Sequence, residues 1–143
     1  MNSSQPFNQR IATKAVIIND KNQVLILREA NSYDEGTNGG RYQVPGGRLN
    51  PGEPYMDGLK REVMEETGLS VKIGKPIFVG EWFPVIKDVP NQIVAMYFIC
   101  NPLDDEIVLS EEHDDYKWIS EAELKDYDII APEPEAILAA LQS

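Results

Sequence analysis

Three glutamates, Glu62, Glu65 and Glu66, fall inside the one stretch of this chain that reads as a long helix, and they sit where a solvated helix would not put them. The helix is expected from about Pro54 to Thr67. Pro54 suits a first turn and Gly68 a C-terminal stop, while Gly58 inside it costs about 1 kcal/mol relative to alanine. With Glu62 at zero on a wheel of about 100° per residue, Glu65 falls at about −60° and Glu66 at about +40°. The apolar residues Leu59, Val63 and Met56 fall at about +60°, +100° and +120°. The acidic arc therefore abuts the core-facing stripe, whereas a solvated face would be centred away from it. Glu62 and Glu66 are also like charges at i,i+4, a repulsion of about a few tenths of a kcal/mol in an isolated helix. Carboxylates crowded at the edge of a core become tolerable with a hard cation among them, held by oxygen ligands and substrate phosphates. On periodicity alone, a metal site and a plain acidic helix both stay open.

The rest of the chain reads as one globular domain of 143 residues with strands before and after this helix. Ile11–Ile18 and Gln23–Arg28 are rich in aliphatic and β-branched residues and flank the turn-like Asn19–Asn22, so a hairpin is expected. Residues 31–41 form a polar, glycine-containing loop, long enough to suggest function. Tyr42–Val44 is expected as a short strand ended by Pro45-Gly46-Gly47. Strands are expected over Val71–Ile86 and Ile93–Cys100, around a turn at Lys87–Asn91, and over Tyr116–Ile119. A short helix is expected at Glu121–Tyr127 and a terminal one at Pro132–Leu141, with Ile137, Leu138 and Leu141 as its apolar side. This is the pattern of a mixed α/β sandwich.

Charge narrows the function. Thirteen Lys and Arg against 24 Asp and Glu leave a net charge of −11, which disfavours stable nucleic-acid or anionic-membrane binding. An anionic substrate would need positive charge supplied at the site. Met1–Gln9 is polar, no segment is apolar enough for a membrane span, and the single Cys100 suits a reducing compartment, so a cytoplasmic location is expected.

The spacing around the helix is the most specific signal. Gly47, five residues, Glu53, seven residues, then Arg61-Glu62-Val63-Met64-Glu65-Glu66-Thr67-Gly68-Leu69 resembles a complete Nudix box. With every fixed position filled, a chance match is on the order of 10⁻⁸. The resemblance implies an α/β/α sandwich with a mixed sheet and a loop–helix–loop catalytic unit at residues 47–69, within a single domain over 1–143. It implies hydrolysis of a phosphoanhydride in a nucleoside diphosphate linked to another group, with Mg²⁺ or Mn²⁺ as cofactor. Carried onto this chain, Glu62, Glu65 and Glu66 are implied metal ligands, joined by the backbone carbonyl of Gly46. Glu62 or a neighbouring carboxylate would orient or deprotonate the attacking water. Arg61 would position the carboxylates, and Glu53 would pair within the motif.

Outside the box, Asp104–Asp115 carries seven acids and no Lys or Arg, and reads as a solvated run. One member resembles the further carboxylate that many Nudix hydrolases supply before a Trp-containing strand. Glu112, six residues before Trp118, is that candidate, with Glu111 as runner-up. His113 is expected on a surface loop with a raised pKa beside its acidic neighbours. Cys100 is expected to be a buried small hydrophobe. Tyr33, Tyr42, Trp82, Phe83 and Tyr97 are candidates to stack on a base, Arg28, Arg41 and Arg48 to contact phosphate, and Tyr42 to line the substrate site. The expected partner is a small nucleotide, with a (d)NTP pyrophosphohydrolase as the leading reading and self-association as a homodimer left open. An ADP-ribose or nucleotide-sugar hydrolase is the alternative, and a nucleotide-sensing module without catalysis is a third reading.

Overall fold

The computed structural model describes residues 8–34 and 36–143. Its strands are β1 (Asn8–Ile17), β2 (Val24–Glu29), β3 (Tyr42–Gln43), β4 (Gly46–Arg48), β5 (Val71–Trp82), β6 (Val85–Ile86), β7 (Val89–Pro102) and β8 (His113–Ile119). Its helices are α1 (Tyr55–Thr67) and α2 (Glu133–Leu141), with a 3₁₀ turn at Glu121–Asp126. One mixed sheet runs β4-β1-β7-β5, with β6 paired to β7; the other runs β3-β2-β8. Only the β1–β7 pairing in the first sheet is parallel. Among the described residues no helix is long and apolar enough to cross a membrane.

The expected β1–β2 hairpin is corrected by this topology. The turn forms, with the Asn19 side chain accepting from the backbone N–H groups of Lys21 and Gln23. The chains touch at one bridge, Ile18 to Val24, and then part into different sheets. The reason is burial: Ala12–Ile17 and Val24–Leu27 are buried on both faces, so each strand needs neighbours on both sides and a layer above and below. Their alternate residues feed two cores. Ala12, Val16, Val24 and Ile26 pack with Ala136, Ile137 and Ala140 of α2. Ala15, Ile17, Leu25 and Leu27 pack with Leu59 and Val63 of α1. The result is helix, sheet, helix, as the α/β/α expectation required.

Other differences are local. Gly46–Arg48 forms a strand, where Pro-Gly-Gly suggested only an end. The turn after β6 is tighter than expected: Lys87 and Asp88 take positive φ angles of 49° and 65°, and Val89 already belongs to β7. β8 begins at His113, three residues earlier than expected. Met56, placed on the apolar stripe by the wheel, is 41% exposed. It lies in the first turn, where the neighbouring Tyr55 takes the packing role by stacking on Phe98 at 5.5 Å. On α2 the buried face is Ala136, Ile137 and Ala140, with Leu138 and Leu141 half-buried.

β4 holds the loop before α1 against β1, and its geometry demands glycine at one position. Gly46 has φ 141°, and a Cβ there would meet the Thr13 carbonyl and lie 2.6 Å from the Lys14 Cα. Both neighbours are backbone and cannot swing away. Gly46→Ala is therefore expected to destabilise the protein by about 1–3 kcal/mol, measured from urea midpoints. An unchanged midpoint would contradict this packing.

Candidate active site

The acids of helix α1 are graded in burial: Glu66 lines the cleft beside β4, Glu62 lines a neighbouring depression with Arg48 and Asn50, and Glu65 is exposed. Glu66 continues the Leu59–Val63 stripe and is 5% exposed. Its Oε1 accepts the Gly46 N–H at 2.9 Å. Burial pushes its pKa well above the ordinary carboxylate value, reinforced by Glu62 and Glu112 and opposed by the Gly46 bond and Lys14. Glu62 is half-buried, and burial raises its pKa despite the Arg61 guanidinium beside it. Its carboxylate fits because residue 47 is glycine: a Cβ there would lie 2.6 Å from the Glu62 Cδ. Glu65 is on the exposed flank, 3.5 Å from Arg61.

Arg61 is clamped between two acids. Its Nε and Nη2 donate to the two Glu53 carboxylate oxygens at 2.8 and 2.9 Å, a forked pair, and Nη1 donates to Glu62 at 3.0 Å. A fork fixes the plane of the guanidinium, which a single contact would not. Glu53 also accepts the Asn50 N–H, and Arg61 then Asn50 hold its pKa down to about 2. Glu53 and Arg61 thus form the support for Glu62.

The loop before β8 supplies the last acid. Glu112, half-buried, reaches Glu66, and burial followed by the charge of Glu62 raises its pKa. Glu111 instead lines a separate depression with Tyr33 and Asp114. Ligand atoms of Glu66, Glu112 and His113 lie within 4.8 Å of one another. The expectation for His113 is corrected: it is buried, and burial and then Lys14 lower its pKa to about 4. It opens β8, and its burial outweighs the opposing pull of Asp114. Its Nε2 lies 3.1 Å from the Gln43 amide nitrogen, and its Nδ1 has no hydrogen-bond partner among the described residues. Carboxylates driven up together by burial and mutual repulsion fit a divalent cation, because an ion among them offsets both.

The cleft is lined by Glu66, Glu112, Gly46, Gly47 and the exposed Arg48, by the polar Thr37, Asn38 and Gln43, and by the apolar Trp82, Pro84, Ile86 and Ile93. Of the other suggested arginines, Arg28 pairs with Asp114 and Arg41 with Asp128, both on the surface. Tyr42 stands outside the cleft: it packs edge-on against Tyr127, and its hydroxyl donates to Asp115 at 2.6 Å. Tyr97 is fully buried, and Phe83 is exposed. Trp82 alone of the five aromatics lines the same cleft as Glu66. Cys100 is buried as expected, and burial raises its thiol to about 12.

Sequence reasoning missed Lys14, Glu133 and Glu29. Lys14, the one buried Lys or Arg among the described residues, lines the cleft and pairs with Glu133 at 3.2 Å. Glu29, also buried, accepts the Asn38 N–H and ties down the loop above the site. The signal was available for Lys14: it alternates with Ala12 and Val16 in a strand apolar on both faces.

The NUDIX domain description matches residues 8–141 of this chain. The chain belongs to the NUDIX family. A nucleoside triphosphatase NudI from Klebsiella pneumoniae subsp. pneumoniae is 27% identical over 125 residues, covering 80% of this chain and 85% of that protein. A MutT-like protein from Streptomyces ambofaciens is 29% identical over 124 residues, covering 87% of this chain and 72% of its own length. The crystal structure of a MutT protein from Methanosarcina mazei Go1 superposes with a TM-score of 0.80 at 27% identity, covering 99% of this chain and 96% of that one. The protein is thus a Nudix hydrolase, an enzyme acting on acid anhydrides.

Glu53 gives the support a pH signature. Its folded pKa lies below its ordinary value of 4.5, at about 2, so its stabilising effect is present above pH 4.5 and is lost as pH falls towards 2. The stability gap between wild type and Glu53→Gln should therefore be wider at pH 6 than at about pH 3, read by urea denaturation. An equal gap at both pH values would contradict the clamp.

Proposed function

We propose that this Nudix hydrolase is a nucleoside-triphosphate pyrophosphohydrolase, taking (d)NTP and water to the nucleoside monophosphate and pyrophosphate. The observation that carries the reading is the Glu66–Glu112 carboxylate pair sharing one cleft with Trp82, Pro84, Ile86 and Ile93. Such a lining suits a polyphosphate held through a cation and a flat base held by an aromatic ring. The name of the NudI relative, a nucleoside triphosphatase, supports the same substrate class.

In this reading Glu62, Glu65, Glu66, Glu112 and the Gly46 carbonyl hold Mg²⁺ or Mn²⁺. Such an ion supplies positive charge to the phosphoryl oxygens and makes water more acidic. The protein's own residues do the rest. Glu62, or the neighbouring Glu112, accepts the proton of the attacking water, a role that a raised carboxylate pKa favours. Arg61 fixes Glu62, and Glu53 fixes Arg61. Gly46 and Gly47 let the backbone approach the phosphates closely, and Arg48 lies beside them. Water attacks the α- or β-phosphorus, the anhydride bond between them breaks, and the displaced group, pyrophosphate or nucleoside monophosphate respectively, leaves with the electron pair.

A substrate panel tests this directly. Canonical and oxidised dNTPs, ADP-ribose, nucleotide sugars and dinucleoside polyphosphates are incubated with Mg²⁺ or Mn²⁺ and the nucleotide products are scored. Triphosphates should turn over well above the rest, and chelator should abolish the reaction. Glu66→Gln should lower kcat by about 10²-fold or more while the protein stays folded. A near-normal rate in that variant, or preferred turnover of ADP-ribose, would sink the proposal.

A further inference from the structure

We propose that Lys14 selects the nucleobase: its ammonium donates to a carbonyl oxygen on the edge of a base stacked against Trp82. Oxo-bases such as guanine, thymine and uracil are thereby preferred over adenine. The inference rests on reading the cleft as a nucleotide site and goes beyond it by assigning the residue that discriminates among bases.

The first observation is how firmly Lys14 is held. Its side chain is 5% exposed, in mid-strand in β1, and Nζ is 3.2 Å from Glu133 Oε2. Glu133 is itself immobile. Its Oε1 accepts the Val44 N–H at 2.7 Å, and its Oε2 accepts the Tyr97 hydroxyl at 2.8 Å. The Lys14 stem packs on Gly46, where an added Cβ would lie 3.0 Å from its Cδ. An ammonium has three N–H groups, and Glu133 is the one hydrogen-bonding group paired with it among the described residues.

The second observation is where the remaining donors stand. Lys14 lines the cleft together with Trp82, and Nζ lies 5.9 Å from the centre of the Trp82 ring. Offset-stacked rings keep their centres about 4.5–7 Å apart, so the edge of a base stacked offset on Trp82 comes within reach of an ammonium this close to the ring. Pro84, Ile86 and Ile93, which line the same cleft, offer no side-chain hydrogen bond to a base, so the edge is left to Lys14 and to the uncharged Thr37, Asn38 and Gln43.

Chemistry then selects the base. A buried ammonium donor requires an acceptor, and a carbonyl oxygen provides one. Where guanine has its carbonyl, adenine has an amino group, so in the same pose a donor meets a donor, and adenine must shift to offer a ring nitrogen instead. Stability alone does not call for the pair, because a buried ion pair is often no better than apolar residues of the same size. A hydrogen bond to a charged group that the wrong base cannot make in the same pose gives about 10- to 100-fold discrimination.

The test is the ratio of kcat/KM for dGTP and dTTP to that for dATP. Wild type should show about 10- to 100-fold preference. Lys14→Met should bring the ratio close to one, with the loss read in KM for the oxo-bases. Because Lys14→Met strands Glu133, the double variant Lys14→Met/Glu133→Gln repeats the measurement with a neutral pair. A parallel titration follows tryptophan fluorescence with GMP and AMP in chelator, which needs no turnover. GMP should bind more tightly than AMP to wild type, and this difference should be lost in both variants.

No base preference in wild type, a preference for adenine, or a preference that survives both substitutions would overturn the role of Lys14. If no triphosphate turns over, the triphosphatase reading fails by itself, and the GMP–AMP comparison still decides the inference.

Discussion

A carboxylate buried in the apolar stripe of a helix, held there by one backbone N–H, is the contact on which this active site depends. Glu66 belongs by position to the row that includes Leu59 and Val63, and its bond to Gly46 ties α1 to β4. β4 in turn lies against β1, where Gly46 meets the backbone of Thr13 and Lys14. One bond therefore joins helix, catalytic loop and sheet. It does so at a cost, since an ionised carboxylate in this setting loses its water. A leucine at the same position would serve the core better. The acid is explained by what it faces, the cleft, with Glu112 in it and Glu62 nearby.

Two ion pairs support the cleft in different ways. Arg61–Glu53 is partly exposed and forked, and it orients Glu62 from the side of the box itself. Lys14–Glu133 is buried and links β1 to the first residue of α2, on the far side of the sheet from α1. The site is thus braced from both helix layers, although the acids come from only one helix and one loop. This explains why a domain with a net charge of −11 can still present a fixed ammonium next to its carboxylates.

The catalytic segment was legible because its chemistry is local. Gly47, Glu53, Arg61, Glu62 and Glu66 lie within twenty residues, and helical spacing alone places the acids next to the core. The β1–β2 pairing was misread because a good turn and two apolar runs look like a hairpin; what separates them is burial on both faces, which a pair of strands cannot reveal. Lys14 and Glu133 lie 119 positions apart, and Val44 and Tyr97 complete their network, so no spacing rule connects them. His113 was misjudged because burial, which its neighbours in sequence do not reveal, outweighs the acids beside it. Met56 shows the limit of a helical wheel at the first turn, where Tyr55 and not Met56 lies against the sheet.

The central claim is that Glu66, with Glu62 and Glu112, gathers negative charge to hold a divalent cation. The most direct test is Mn²⁺ titration of the protein without nucleotide, following loss of the free-ion electron paramagnetic resonance signal. The account predicts saturable binding to wild type and about 10-fold or greater weakening in Glu112→Gln, with the circular dichroism spectrum unchanged. Failure of wild type to bind Mn²⁺, or equal binding by Glu112→Gln, would contradict it.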